Sequence, residues 1–323
     1  MSSAVAAAFS SSRPSQPSQP DPLASPLDDA TARDLVDRLV NLLRVQPVGP
    51  DRFVGQSEDI GTPAVFGGQV LGQALMAACG TVGAERPVHS MHAYFLLPGE
   101  HAPIEYEVLR ARDGRSFSTR HVVARQRGVE IFEMTASFQL ASDGADHQDA
   151  APQVPPPEAL VPELEHRRAV AERLPPGFGA RWREKSVLPR ALEYRHVQPY
   201  DLLDPVAAPP QASMWLRAVA PLPDDFSLHC AMLAYASDHG LLLTAMRPHG
   251  LALLRGEVRL ASLDHAMWFH RNLRIDDWLL HDMDSPSASG ARALCRGRVF
   301  DRQGRLVAST AQEGMMRLQR RGD

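Results

Sequence analysis

Cysteine is scarce in this chain: three among 323 residues, Cys79, Cys230 and Cys295, far apart and odd in number. Their spacing excludes a disulfide scaffold, and the lack of any CxxC pair excludes the usual zinc-thiolate and dithiol redox sites. Excess positive charge is missing too. A formal charge of −4 gives no long-range attraction for nucleic acid or an anionic lipid surface, although a local arginine cluster could still hold a phosphate. No run approaches the roughly 18 apolar residues of a membrane span, so no membrane insertion is expected. The start, MSSAVAAAFSSSRPSQPSQPD, has no basic stretch ahead of its short Ala-rich segment, and the end, RLQRRGD, is not Ser-Lys-Leu. Neither reads as a targeting address, and the cytoplasm is the expected compartment. There is no GxSxG elbow for a nucleophilic serine and no HExxH for zinc. His265 and His270, like His89 and His92, read as core or rim residues. No metal and no cofactor is expected.

What is present is a chain that is 44% apolar and long enough for two moderate cores. Residues 1–27 are rich in Ser, Pro and Ala without periodicity, and read as a disordered tail. An amphipathic helix follows from Asp28, with Leu35, Val36, Leu39, Val40, Leu42 and Leu43 at helical spacing, and it stops before Pro47. After a short extended piece near Arg52, the run FGGQVLGQALMAAC reads as a helix whose small residues allow close packing. Strands are expected over 88–97, 103–112, 116–127 and 130–139, from period-two alternation and Gly or Pro punctuation.

Residues 142–165 are acidic and Pro-rich, as an exposed connector would be, and 167–195 carry too many prolines for one long helix. Beyond them the order repeats: a strand at 213–220, a helix at 224–240, and strands over 258–270, 276–283, 291–301 and 305–316. HSMHAYFLLPG matches LDHAMWFHRNL, and FEMTASFQL matches LVASTAQEG, at an offset of roughly 170 to 175 residues, the mark of a duplicated unit. The division is therefore a tail (1–27), an N-terminal α+β unit (28–141), a connector (142–195) and a C-terminal α+β unit (196–323).

Seven segments, RFVGQSEDIG, VFGGQVLGQAL, VHSMHAYFLLPG, RDGRSFSTR, YASDHG, LDHAMWFHR and STAQEGMMR, together resemble the double-hotdog acyl-CoA thioesterases, the type II family. The likeness covers nearly everything from Leu35 to Arg317. It implies a tandem hotdog, each unit a long helix wrapped by a curved antiparallel sheet, and hydrolysis of acyl-CoA to free acid and coenzyme A. The family's catalytic Asp, hydroxyl residue and Gln fall on Asp238, Ser262 and Gln312. Ser262 departs from the pattern, since members often carry Thr there. The resemblance also implies an acyl-CoA substrate and a homo-oligomer.

That chemistry suits those residue types. A departing thiolate, with a pKa near 8.5, needs little help, so the tasks are to aim a water and to stabilise the oxyanion. Asp238 would take the proton or orient the water, Ser262 and Gln312 would hold its lone pairs, and backbone amides near a helix N-terminus would meet the oxyanion. The first copy has Phe138 where the second has Gln312, and reads as catalytically silent. Arg112, Arg115 and Arg120 around RDGRSFSTR, with Arg292 in the related SASGAR stretch, could bind the phosphates of coenzyme A, or could simply be solvated hairpin tips. Two rival readings stand beside the thioesterase: an enoyl-CoA hydratase using an Asp238–His239 pair, and an acyl-CoA-binding module without catalysis.

Overall fold

The structure, a computed structural model, describes residues 27–175 and 180–319. The expected disordered tail lies outside the described residues except for Leu27. Chain order begins with helix α1 (Asp29–Leu43), started by Asp28, whose carboxylate accepts from the Thr31 amide at 2.9 Å, an ordinary N-cap. Its apolar stripe of Ala32, Val36, Leu39, Val40 and Leu43 is buried. Then come β1 (Gln46–Gly49), β2 (Arg52–Gly55), α2 (Gly67–Cys79), β3 (Val88–Phe95), β4 (Ile104–Asp113), β5 (Phe117–Gln126) and β6 (Val129–Gln139). The second half runs α3 (Glu163–Arg173), α4 (Ala180–Ser186), β7 (Leu192–His196), β8 (Gln211–Ala218), α5 (Phe226–Ser237), β9 (Val258–Ser262), β10 (Asp264–Phe269), β11 (Leu279–Ser289), β12 (Arg292–Asp301) and β13 (Leu306–Leu318).

The strands form one antiparallel sheet in the order β1-β2-β4-β5-β6-β3-β10-β13-β12-β11-β8-β7, with β9 also paired to β13. Each half follows the same topology, and the halves join where β3 pairs β10. Helices α2 and α5, one from each half, lie against each other inside this sheet, and the buried apolar residues form one core spanning both halves. This is the tandem hotdog. Small residues make the helix pair possible: a Cβ on Gly72 would lie 2.9 Å from the Ala231 carbonyl. Two tight hairpins are turned by pairs of residues in left-handed conformations, Arg127–Gly128 between β5 and β6 and Gly290–Ala291 between β11 and β12, as two-residue turns of the twisted kind require.

Three sequence expectations change. The strand expected over 258–270 is broken at Leu263 into β9 and β10, because Asp264 accepts from the Glu313 amide at 2.6 Å and replaces a ladder bond. The strand expected over 276–283 begins later and runs to Ser289, paired with β8 and β12. The connector is only partly exposed. Trp215 donates to the Pro155 carbonyl at 2.9 Å, and Ala151, Val154 and Leu160 cover a cluster of Trp215, Trp278, Leu280 and Phe300 on the outer face of the sheet's second half. The prolines of the unassigned stretch leave room for α3, α4 and β7. Among the described residues, no helix is long and apolar enough to cross a membrane.

Candidate active site

The break between β9 and β10 faces the middle of β13, and this is where the candidate residues meet. Gln312 stands on β13 opposite Cys295 of β12, and Ser262, the last residue of β9, pairs with Gly314 of the same strand. Two residues apart along β13, Gln312 and Gly314 share a face, which brings the Gln312 side chain beside Ser262. Asp238 comes from the other layer, as the residue that ends α5. Gln312 Nε2 donates to Asp238 Oδ1 at 2.7 Å and to Ser262 Oγ at 2.8 Å. Ser262 Oγ reaches Asp238 Oδ1 at 3.4 Å, a weaker contact.

Gln312 is fully buried, and its amide orientation is dictated by the carboxylate. A flipped amide would set two acceptor oxygens 2.7 Å apart. Its Oε1 has no partner among the described residues and is the acceptor left free at the site.

The second carboxylate oxygen is held by the other half of the molecule. The Gly68 amide, in the first turn of α2, donates to Asp238 Oδ2 at 3.0 Å. The first half, in which Phe138 is buried, contributes a helix N-terminus with its unpaired amides and partial positive charge. Only glycine allows this approach: a Cβ at residue 67 would lie 2.8 Å from Asp238 Oδ2, and one at residue 68 would lie 2.3 Å from the Tyr235 carbonyl. In sequence Gly67 and Gly68 read as opening this helix, but their contact with Asp238, 170 residues away, leaves no local signal.

Beneath the triad, buried His265 meets Ser237 Oγ at 2.9 Å. Burial lowers its imidazole below the ordinary range, and the nearby Asp238 carboxylate opposes the effect. Burial also raises Asp264, with Glu313 adding to the rise, while the Glu313 amide bond opposes it. The other noted histidines are structural. His270 meets Ser309 Oγ and His89 meets Ser137 Oγ, both at 2.8 Å, and His92 contacts the Trp268 ring edge-on. His239 does not face Asp238: its Nε2 lies 2.8 Å from Glu163 Oε2 and its ring stacks on Tyr194.

The four arginines are not brought together. Arg120 is buried, and its fork is consumed within the protein by Thr81, Asp113 and the carbonyls of Thr81, Arg112 and Thr119. That corrects the expectation of a phosphate ligand there, since no donor is left over. Its partner Thr81 follows the end of α2, about 18 Å along the helix from Gly67 at ~1.5 Å per residue. Arg112 and Arg115 share this far end, on the exposed β4–β5 tip. Arg292 alone lies toward the end of β13 that carries Gln312, but on the opposite face of the sheet, where its Nε donates to Glu313 at 3.1 Å.

Comparison with known proteins agrees with this construction. Residues 195–315 match the family model for acyl-CoA thioesterase, and residues 55–139 match that for the acyl-CoA thioesterase N-terminal domain. Acyl-CoA thioesterase 2 of Haemophilus influenzae is 37% identical over 285 residues, which cover 88% of this chain and 98% of that protein. This chain belongs to the acyl-CoA thioesterase II family. Among solved structures, an acyl-CoA thioesterase II from Mycobacterium marinum is 42% identical, covering 87% of this chain and 98% of that one, with a TM-score of 0.70. A hot dog fold protein of Alicyclobacillus acidocaldarius, at 19% identity and a TM-score of 0.68 over 88% of this chain and 99% of that one, shares the fold. Both matched family segments lie within the two halves joined at β3 and β10, and the second contains Asp238, Ser262 and Gln312.

Proposed function

We propose that this protein hydrolyses acyl-CoA thioesters to free carboxylic acid and coenzyme A by direct attack of a water held at Asp238, without an acyl-enzyme. The observation that carries the reading is the hydrogen-bonded set Gln312–Asp238–Ser262 closed by the Gly68 amide. Gln312 and the helix amide orient the carboxylate and preserve its acceptor character, so it can draw a proton from water as the new C–O bond forms. The Ser262 hydroxyl completes the water's hydrogen bonds, and Gln312 acts through the carboxylate and hydroxyl to which it donates. The Gly67 amide, at the N-terminus of α2 beside Asp238, faces the developing oxyanion, where the helix dipole and a fixed donor act together. Collapse then expels the thiolate of coenzyme A, a leaving group that needs no strong acid.

A cavity of about 370 Å³ reaches Tyr235 and His239, which flank the Asp238 turn, and has an apolar wall of Leu35, Leu39 and Phe66 facing charged Arg38, Asp59 and Arg190; we assign the acyl chain to its apolar wall. Arg292 is the arginine we assign to a coenzyme phosphate, with Arg112 and Arg115 serving only a ligand that spans the far end of α2. The division into units over 28–141 and 196–323 with a connector over 142–195 remains our reading of the chain. A homo-oligomer is supported by the two open sheet edges at β1 and β7 and by exposed Val48 on the first. Cytoplasmic residence is supported by three free thiols. The hydratase reading is disfavoured by His239, which faces Glu163 rather than Asp238.

Single-turnover hydrolysis in ¹⁸O-water tests the mechanism. One ¹⁸O should enter the free acid with no acylated protein trapped by acid quench and detected by mass spectrometry. An acyl adduct that forms and decays at the turnover rate would overturn direct attack.

A further inference from the structure

Immediately after Asp238 the chain enters a second cluster that lies outside the hydrogen-bonded triad, with His239 also bordering the cavity assigned to the acyl chain. Glu163 of α3, His196 of β7 and His239 bring Oε2 and two Nε2 atoms within 4.8 Å of one another. Glu163 Oε2 lies 3.3 Å from His196 Nε2 and 2.8 Å from His239 Nε2. From the geometry we infer that this is a binding site for a borderline divalent transition-metal ion of the zinc type, tying the connector helix to the loop that carries the catalytic carboxylate.

Several features support a metal site beyond the coincidence of three ligands. Two imidazoles and one carboxylate form a donor set that zinc uses with a fourth position left to water. Tetrahedral ligation with bonds of about 2.0–2.1 Å sets neighbouring ligand atoms about 3.3–3.4 Å apart. The Glu163–His196 separation already has this value, the Glu163–His239 separation is about half an ångström shorter, and the two imidazole nitrogens lie within 4.8 Å of each other. Glu163 is buried, at 8% exposure, so its carboxylate requires cationic or hydrogen-bonding partners. Arg167 Nε, one helical turn on, approaches the other oxygen, Oε1, at 3.2 Å. This charge contact balances Oε1 and leaves Oε2 toward the two imidazoles. Tyr194 stacks on the His239 ring at 4.2 Å and fixes its plane. Both imidazoles keep about a fifth of their side-chain surface exposed, which provides an entry path and room for a water.

The site was invisible to motif reading because its ligands lie on three separate elements across 76 residues. An ion there joins α3, β7 and the Asp238 loop, so its effect is on the stability and placement of that loop; the water attack at Asp238 proceeds without it.

The full chain, stripped with a chelator and dialysed, is titrated with zinc(II) by calorimetry, followed by thermal unfolding with and without the metal. One equivalent should bind, the melting temperature should rise with zinc, and Glu163→Gln and His196→Ala should each weaken binding by at least about 100-fold. Cobalt(II) should give the visible spectrum of a four-coordinate N/O site that both substitutions abolish. These readouts are independent of thioesterase activity, so failure of the hydrolysis assay would leave them standing. Two results would overturn the inference: no stoichiometric binding by the wild type, or binding that survives in both variants, which would mark it as adventitious attachment to other histidines.

Discussion

Replacing Gly68 by Ala separates what the two-glycine start of α2 does for stability from what it does for the site. The added Cβ falls 2.3 Å from the Tyr235 carbonyl and 2.5 Å from the Phe66 ring. The ring can turn, but the carbonyl is backbone in the last turn of α5, so the helices must part by about 1 Å to reach ordinary contact. Overpacking of this kind costs about 1–3 kcal/mol, offset by up to ~1 kcal/mol because Ala favours the helix over Gly. A net loss of about 1–2 kcal/mol is expected from urea unfolding. The same shift stretches the 3.0 Å bond from the Gly68 amide to Asp238, and a displacement of about 1 Å at a reacting group costs on the order of 100-fold in rate. Gly72→Ala is the control. It also strikes a carbonyl of α5, that of Ala231 at 2.9 Å, but from mid-helix, so it should destabilise comparably with a much smaller loss of thiol release. If Gly68→Ala kept wild-type turnover, or if Gly72→Ala lost as much, the role given to the α2 N-terminus would be refuted.

Further outcomes follow from the same geometry. Gln312→Ala removes both donors to Asp238 and Ser262 and should lower kcat by about 100- to 1,000-fold in a thiol-release assay, with KM changed far less. Ser262→Thr restores a methyl that narrows the hydroxyl's rotamers and should stay within about threefold of wild type, whereas Ser262→Ala should lose roughly tenfold or more; equal activity in the two would remove the hydroxyl from the account. His281 is buried neutral, its pKa lowered to about 3 by burial and by His265. An unfolded histidine binds its proton near pH 6.5, so stability is lost as pH falls from about 6.5 toward 3, at ~1.4 kcal/mol per unit. Urea midpoints at pH 7 and 5 should differ accordingly, and less steeply in His281→Gln. Asp225 caps α5 through the Leu228 amide at 3.2 Å, and Asp225→Ala should cost about 1 kcal/mol in the same unfolding measurement.

Much of the fold was legible because the signals were local. The stripe of α1, the small-residue helix α2 and the alternating strands of the first half each carry their period in adjacent residues. The duplication supplied the second half by analogy. What escaped was non-local. The break at Leu263 depends on Asp264 replacing a backbone partner of Glu313, which alternation over 258–270 cannot report. The connector's cover over Trp215 and Phe300 depends on an apolar outer face that each strand reveals only in the assembled sheet. The triad was legible through resemblance alone, since an isolated Asp, Ser or Gln has commoner structural uses. The Gly68 amide and the Glu163–His196–His239 cluster were not legible, because both join chain segments remote in sequence. Arg120 misled for the converse reason: a guanidinium beside a hairpin tip resembles a phosphate ligand until its donors are counted against Thr81 and Asp113.

The most direct test of the central claim is free-thiol release from acyl-CoAs of graded chain length by wild type and Asp238→Asn, side by side with thermal unfolding of each. The substitution keeps the shape and removes the proton acceptor. The wild type should release coenzyme A, and the variant should lose about 100- to 10,000-fold in kcat across every chain length while melting within a few degrees of wild type. An Asn variant that unfolds normally and hydrolyses the same acyl-CoAs at the wild-type rate would contradict the assignment of this carboxylate and the mechanism built on it.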